Sequence, residues 1–462
     1  MRTTLDFRLN GEALSLGSRE SAADPARTLL TWLRETRRLV GTKEGCAEGD
    51  CGACTVVLAE IDPSGVLRYE PANSCILCLG ALDGKEVLTV EALKDHPVQR
   101  AMVDCHGSQC GFCTPGFVMA LYADFKKNGD IPLPDAIAGN LCRCTGYRPI
   151  LEAGARARAL RNREVERTED EARAARISAL PRGSTLIGER FFVPANLNEL
   201  ASFLVEHPQA TILAGGTDVG LWITKQHRDL GAVAFTGRVA ELKVLREQET
   251  HLDIGGAVTY AEAYAALAAI HADIGELLRR LGAVQVRAAG TLAGNIANGS
   301  PIGDSMPFLL ALGATVDLQR GTARRTVSLE DFYTGYRKTV LQPGEFIRSV
   351  RVPKLAPGAR FAAYKLSKRF DQDISAVCAA FHVAGGEARF AFGGMAATPA
   401  RARRAESMWS QGVEAACAAL AEDFKPMSDQ RASSWYRLLA AQNLLRKFDA
   451  RIGPRALLEV GV

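Results

Sequence analysis

The sequence has 462 residues, 47% of them hydrophobic and 23% charged, with a formal net charge of +4. At roughly 150 residues per domain this length predicts about three domains, each able to bury its own core. The small net charge excludes a strong electrostatic footprint for nucleic acid, residues 1–16 alternate polar and apolar without a signal core, and no run reaches the roughly 18 apolar residues that span a membrane. Cytoplasmic residence is the expectation, with neither nucleic acid nor membrane as a partner.

The chain opens with Leu5, Phe7 and Leu9 alternating, a turn at Asn10-Gly11, and Leu14 and Leu16 beyond it, the pattern of a β-hairpin. Asp24-Pro25 predicts a helix start, with Leu29, Leu30, Trp32 and Leu33 as its apolar stripe, and Thr55-Val56-Val57-Leu58 predicts a strand. Residues 1–85 are therefore expected to form a small ferredoxin-like α+β module of β-grasp type. From 86 to 160 the pattern is that of a small helical bundle, with Phe117, Leu121 and Phe125 four apart behind a start signal at Thr114-Pro115. Nine of the thirteen residues 161–173 are charged with both signs mixed, which predicts a linker over 161–183, or equally a solvated helix.

Residues 184–345 read as an α/β domain in two parts, beginning with a helix whose Asn196 and Glu199 are spaced like a capping box. Residues 346–462 read as a C-terminal α+β domain, with strands near 346–352, 376–383 and 388–392 and two amphipathic helices, the second marked by Leu438, Ala441, Leu445 and Phe448. The fold class expected is thus α+β and multidomain.

Ten of the twelve cysteines, at 46, 51, 54, 75, 78, 105, 110, 113, 142 and 144, fall in the first 144 residues, leaving Cys378 and Cys417 apart. Without a secretion signal, thiolates binding metal are favoured over disulfides. Cys46-x4-Cys51-x2-Cys54, with Cys75 or Cys78 as the fourth ligand, has the plant-type [2Fe–2S] spacing. Glycines at 41, 45, 49 and 52 let the backbone wrap closely, so that N–H groups can face anionic sulfur. The second set is Cys110-x2-Cys113 and Cys142-x-Cys144; by spacing alone it fits zinc as well as an iron–sulfur cluster. Both of its pairs precede helix starts, whose positive ends favour an anionic centre. Cys105 fits neither spacing and is expected to be a small buried residue. The seven histidines show no paired-ligand spacing. Gly215, Gly216, Thr217 and Asp218 end a short strand and open a helix, offering free N–H groups to a pyrophosphate. The pattern is not the Rossmann G-x-G-x-x-G, so a nicotinamide-binding Rossmann domain is not expected.

Written out, GTKEGCAEGDCGACTV (41–56), GSQCGFCTPGFVMAL (107–121) and GNLCRCTGYRPI (139–150) resemble the N-terminal half of the xanthine oxidase family of molybdenum hydroxylases. ILAGGTDVG (212–220) and AGTLAGNIANGSPIGDSMP (289–307) resemble its two FAD loops, and YKLSKRFDQDIS (364–375) with FGGM (392–395) extends the likeness toward the C-terminus. The resemblance implies two [2Fe–2S] clusters, one on Cys46, Cys51, Cys54 and Cys75, the other on Cys110, Cys113, Cys142 and Cys144. It favours Cys75 over Cys78 because Asn73-Ser74-Cys75 matches. It assigns FAD contacts to Leu213, Ala214, Gly215, Gly216, Thr217, Asp218, Val219, Gly220, Thr291, Gly294, Asn295 and Asp304, and more loosely to Lys365 and Ile374. Leu281 stands where animal relatives place a phenylalanine against the flavin ring. Gln109 is implied to hydrogen-bond the molybdenum cofactor of a partner, with Cys144 near its pterin.

Nothing after residue 395 matches a molybdenum-binding region, and the chain stops at Val462, so that region is expected on a separate large subunit. Iron–sulfur and flavin parts fused in one chain favour the family's bacterial xanthine dehydrogenases. What this implies is electron transfer from the partner's molybdopterin site through two [2Fe–2S] clusters and FAD to NAD+ during oxidation of hypoxanthine and xanthine to urate, in a dimer of heterodimers. A related dehydrogenase for another N-heterocycle or an aldehyde, and a stand-alone iron–sulfur flavoprotein reductase, are the alternatives. No catalytic residue is expected in this chain itself.

Overall fold

The structure, a computed structural model, describes residues 1–17, 24–188 and 190–453, which form two compact units. Residues 18–23, inside the expected N-terminal module, residues 454–462, at the end of the expected C-terminal domain, and Glu189 lie outside the described residues. The fold class is α+β.

The first unit comprises residues 1–241 and 282–290. Thr4–Leu9 and Glu12–Gly17 pair antiparallel across Asn10 (φ 52°) and Gly11 (φ 93°), a two-residue turn with both central residues left-handed, matching the twist of the strands. They join a mixed five-stranded sheet ordered Glu12–Gly17, Thr4–Leu9, Glu86–Leu88, Thr55–Ile61, Leu67–Asn73. Leu5, Phe7 and Leu9 are buried, and Phe7 meets Trp32 edge-on at 5.7 Å between ring centres. The helix expected from Asp24-Pro25 begins later, at Leu29–Thr31, and continues as a wider turn over Trp32–Thr36. Asp24 instead closes a turn, accepting from the N–H of Ala26 and Arg27, and Thr28 is the cap, its hydroxyl accepting from Thr31 N–H.

Four helices follow, Pro97–Asp104, Thr114–Lys126, Leu133–Ile137 and Arg148–Ala159, around Phe117, Leu121, Phe125, Ile137 and Ile150. Of the two readings of residues 161–173, the structure has the helix: Arg163–Ser178, capped by Asn162 with Glu164 and Glu166 in its positive first turn. It is fastened by Ile177, buried with Tyr69 and Tyr122, and by Arg173, which donates to Glu86 and to the Tyr69 hydroxyl. A four-stranded sheet ordered Thr185–Ile187, Phe191–Val193, Val233–Phe235, Thr211–Leu213 completes the unit. Asn196 caps Leu197–Glu206 as expected, but Glu199 reaches back to Ala195 N–H, one residue before the cap.

The second unit comprises residues 242–281 and 291 onward. Its first sheet is antiparallel, ordered Leu245–Glu247, His251–Gly255, Phe346–Pro353, Thr315–Arg320, Ala323–Ser328. Phe346–Pro353, the strand expected near 346–352, pairs with His251–Gly255 and Thr315–Arg320, and Val350 and Val352 pack with Leu252, Ile254, Val316 and Leu318. The C-terminal sheet runs Arg360–Leu366, Val377–Ala384, Glu387–Gly393, Ala400–Arg401, covered by Val413–Asp423 and Ser434–Asp449. Ala441, Leu445 and Phe448 are buried and Leu438 partly so. No helix among the described residues is long and apolar enough to cross a membrane.

Candidate functional site

The first cysteine loop is held in shape by left-handed backbone at Ala47 (φ 53°), Gly49 (φ 81°) and Gly52 (φ 70°). This turns the N–H groups of Glu48, Asp50 and Cys51 onto Cys46 Sγ at 3.5, 3.3 and 3.4 Å. Gly45 approaches so closely that a Cβ there would lie 2.7 Å from Cys51 Sγ. Cys54 and Cys75 are buried together with Leu30 and Ile76, whereas Cys78 belongs to a different group of core side chains around Leu79. Burial pushes the Cys78 thiol up to about 12. Cys75 thus lies beside Cys54, and Cys78 packs elsewhere. The Cys51 and Cys75 thiols hold Cys46 far below the ordinary thiol range, and Cys51 and Cys75 are correspondingly raised by Cys46.

The second set frames two helix starts. Cys113 is the residue before Thr114–Lys126, and Arg148–Ala159 begins after Tyr147, itself left-handed at φ 70°. Cys110 pairs with Cys144, and Cys113 with Cys142. Burial opposes ionisation of Cys142, but the hydroxyl and N–H of Thr145, 3.1 and 3.4 Å from its sulfur, outweigh it and lower that thiol. Cys113 is pushed up to about 12, first by burial and then by Cys142. Gln109, Cys110 and Cys144 are exposed, as are Phe112 and Leu141, so this set lies at a partly apolar surface. Cys105, expected to be buried, is half-buried at the end of Pro97–Asp104, packed against the same core as Cys113 and Cys142.

Backbone N–H groups lie on the sulfurs of Cys46 and Cys142, and the second set also flanks two helix starts. Among the described residues no three His, Cys, Asp or Glu side chains are spaced for a single metal ion. Each set offers four free thiols, the donor set a two-iron cluster takes, so the residues fit the [2Fe–2S] groups.

The flavin candidates fall in both units. In the first, Thr211–Leu213 runs into Ala214, Gly215, Gly216 (φ 72°), Thr217 and Asp218, and Val219–Thr224 is the helix that follows. Among the described residues the N–H groups of 214–218 donate to no protein acceptor. Gly215 needs its missing side chain for space, since a Cβ would lie 1.8 Å from the carbonyl oxygen of Ala289, and one on Gly220 would lie 2.4 Å from that of Ile76. In the second unit, Thr291 caps Leu292–Asn298 by accepting from Gly294 N–H at 3.0 Å, and Asn295 Oδ1 is buried with no partner. Asp304 binds Lys365 and accepts from Ser375 Oγ at 2.5 Å; both ends of the ion pair are buried. Ile374 is exposed, and Leu281 is half-buried against the core around Leu277 and Leu278. The free N–H groups of the first unit's loop fit a pyrophosphate such as that of FAD. Thr145 and Ser375, which contact Cys142 and Asp304, were not among the expected residues; both lie inside the motifs quoted above, without a metal-binding or charged group to single them out.

Four family descriptions match in series. Residues 14–80 match a 2Fe-2S iron-sulfur cluster binding domain, 89–155 a [2Fe-2S] binding domain, 187–355 the FAD binding domain in molybdopterin dehydrogenase, and 362–452 the CO dehydrogenase flavoprotein C-terminal domain. Xanthine dehydrogenase of Drosophila subobscura is 33% identical over 480 residues, covering 88% of this chain and 35% of that protein. That of Emericella nidulans is 33% identical over 477 residues, covering 87% and 35%. The chain therefore spans about a third of the length of the curated relatives it matches. Among solved structures, CO dehydrogenase from Oligotropha carboxidovorans aligns with a TM-score of 0.53 at 26% identity, covering 57% of this chain and 96% of that one. Quinoline 2-oxidoreductase from Pseudomonas putida 86 aligns with a TM-score of 0.52 at 26% identity, covering 60% and 98%. With this series of domains, the chain belongs to the xanthine oxidase family of molybdenum hydroxylases and carries its iron–sulfur and flavin portion.

Proposed function

We propose that this chain is the electron-transfer subunit of a xanthine dehydrogenase, serving a molybdopterin-binding large subunit that oxidises hypoxanthine and xanthine to urate, with NAD+ as final acceptor. The observation that carries the reading is two cysteine quartets and two FAD loops in one chain whose similar curated proteins are xanthine dehydrogenases. Cys46, Cys51, Cys54 and Cys75 would hold one [2Fe–2S] cluster and Cys110, Cys113, Cys142 and Cys144 the other. Residues 213–220, with Thr291, Gly294, Asn295, Asp304, Lys365 and Ile374, would hold FAD, Leu281 lying at its ring. Bound there, the clusters supply one-electron carriers and the flavin a carrier able to exchange two.

The chain's own contribution is placement and electrostatics. The N–H groups of Glu48, Asp50, Cys51 and Thr145 stabilise negative sulfur, and the exposed face of Gln109, Phe112, Leu141 and Cys144 is where the large subunit would dock. A cytoplasmic dimer of heterodimers, with domains parting near 85 and 160 and the flavin region running to the end of the strand at 353, completes the reading. Mixing the purified complex with xanthine and NAD+ tests it: NADH formation is expected, and its absence with the cofactors in place sinks the substrate assignment.

A second reading, the same role for another N-heterocycle, is favoured by the likeness to quinoline 2-oxidoreductase. A panel of heterocycles and aldehydes separates the two. A stand-alone reductase predicts instead that no molybdopterin-containing chain co-purifies.

A further inference from the structure

The helix Val284–Ala289 lies in the first unit, although the chain on either side of residues 282–290 lies in the second. Its anchor is Gln285, which is 2% exposed. Gln285 Nε2 donates to Thr55 Oγ1 at 3.2 Å and to Asn140 Oδ1 at 2.9 Å. Asn140 Nδ2 in turn donates to the carbonyl oxygen of Gly52 at 2.9 Å and to Thr55 Oγ1 at 3.3 Å, and the Thr55 hydroxyl donates to that same carbonyl at 2.7 Å. All three side chains are buried.

The three residues come from three distant stretches, and two of those stretches are the cysteine loops. Gly52 stands between Cys51 and Cys54, and Asn140 stands two residues before Cys142. Leu141, between Asn140 and Cys142, donates its N–H to the carbonyl oxygen of Cys51 at 3.0 Å. The carboxamide of Gln285 closes this arrangement from outside. It is also seated tightly: Gly139 has ordinary backbone, yet a Cβ there would lie 1.9 Å from Gln285 Oε1, so glycine is required at 139 for space alone. Every donor of the three side chains is satisfied, Gln285 Oε1 alone being buried without a partner, and such a network loses its register when one donor is removed.

We infer that Gln285 is a positioning residue for electron transfer, locking the loop of Cys51 and Cys54 against the loop of Cys142 and Cys144 at a set spacing. It acts through Thr55 and Asn140 and touches no cysteine itself. The inference rests on the two-cluster reading above and goes beyond it, because it gives a residue of the flavin region control over the distance between the clusters. Electron tunnelling and the magnetic coupling of two reduced clusters both fall steeply as that distance grows.

The test uses the cofactor-loaded complex carrying Gln285→Leu, which keeps the side-chain bulk and removes both donors. At low temperature the reduced complex is expected to keep both iron–sulfur EPR signals at parent intensity but with altered splitting between them. Reduction of the flavin after substrate addition should slow roughly tenfold while reduction of the partner's molybdenum site is unchanged. Thr55→Val, nearly the same shape, provides the same reading should Gln285→Leu not assemble, and is expected to shift the splitting in the same way. Parent splitting and parent flavin-reduction rate in the assembled variant overturn the inference. A parent complex lacking two iron–sulfur signals overturns the cluster assignment instead, a separate outcome.

Discussion

Cys142 and Thr145 share a short contact in which the threonine hydroxyl and N–H both lie on the cysteine sulfur, at 3.1 and 3.4 Å. The contact holds the C-x-C end of the second quartet in a fixed turn, with Cys142 facing Cys113 and Cys144 facing Cys110.

Cys113→Ser is expected to abolish one of two distinguishable iron–sulfur EPR signals, and Cys51→Ser the other, with flavin absorbance retained in both. Two unchanged signals in either variant would show that the ligand sets are wrongly drawn.

The buried pair of Lys365 and Asp304 makes a quantitative prediction. Side-chain exposure is 2% and 9%, so Asp304→Asn leaves a lysine charge buried without its carboxylate. Removal of one partner should destabilise the protein by about 3 kcal/mol and lower its FAD content. Adding Lys365→Met should recover part of the loss in thermal unfolding, since the stranded charge is then gone; additive losses would show that the two groups are not coupled.

Gly215→Ala places a Cβ 1.8 Å from the carbonyl oxygen of Ala289, a backbone atom that cannot swing aside. Overpacking of this kind costs about 1–3 kcal/mol and should reduce bound FAD. Gly453→Ala, where nothing lies within 4 Å, is the control and should leave flavin content at the parent value.

His96 gives a pH dependence. Burial, then the charges of Lys126 and Arg100, lower its pKa from 6.5 to about 4 in the folded chain, where its Nδ1 accepts from Val98 N–H at the start of Pro97–Asp104. Below pH 6.5 the unfolded chain binds a proton that the folded one does not, so stability is full above 6.5 and falls as the pH drops toward 4. With solvent still reaching the half-buried ring, the loss is about 1–2 kcal/mol. His96→Asn, which retains a capping side chain, should flatten the change in urea midpoint between pH 7 and 4; an undiminished slope would assign the effect to other groups.

Much of the candidate site could be read directly because its information is local. Cys46, Cys51 and Cys54 fall within nine residues, and so do the turns that aim N–H groups at Cys46 Sγ. Spacing alone leaves Cys75 and Cys78 open, and only the resemblance through Asn73-Ser74-Cys75 favours Cys75; in the fold, Ser74 Oγ donates to the Cys54 carbonyl at 2.7 Å, holding Cys75 beside Cys54. The helix after Thr28 was displaced because Asp24 served a turn in place of a cap, a competition between two uses of the same side chain.

Cysteine spacing, glycine turns, the Asn10-Gly11 hairpin and the Asn196 cap were determined by the sequence alone, since each needs only residues within a few positions of one another. Tertiary structure alone decided that Phe346–Pro353 is a middle strand of the flavin-region sheet, because its apolar face suits either neighbour and only packing against Leu252 and Val316 chooses. It alone decided that the charged stretch after Asn162 is a docked helix, through Ile177 and Arg173. It alone brought Gln285 to Thr55 and Asn140, 230 and 145 residues away, where a single buried carboxamide meets both cysteine loops. Hydrogen bonds between such distant residues leave no periodicity in the chain, so they become visible only when it is folded.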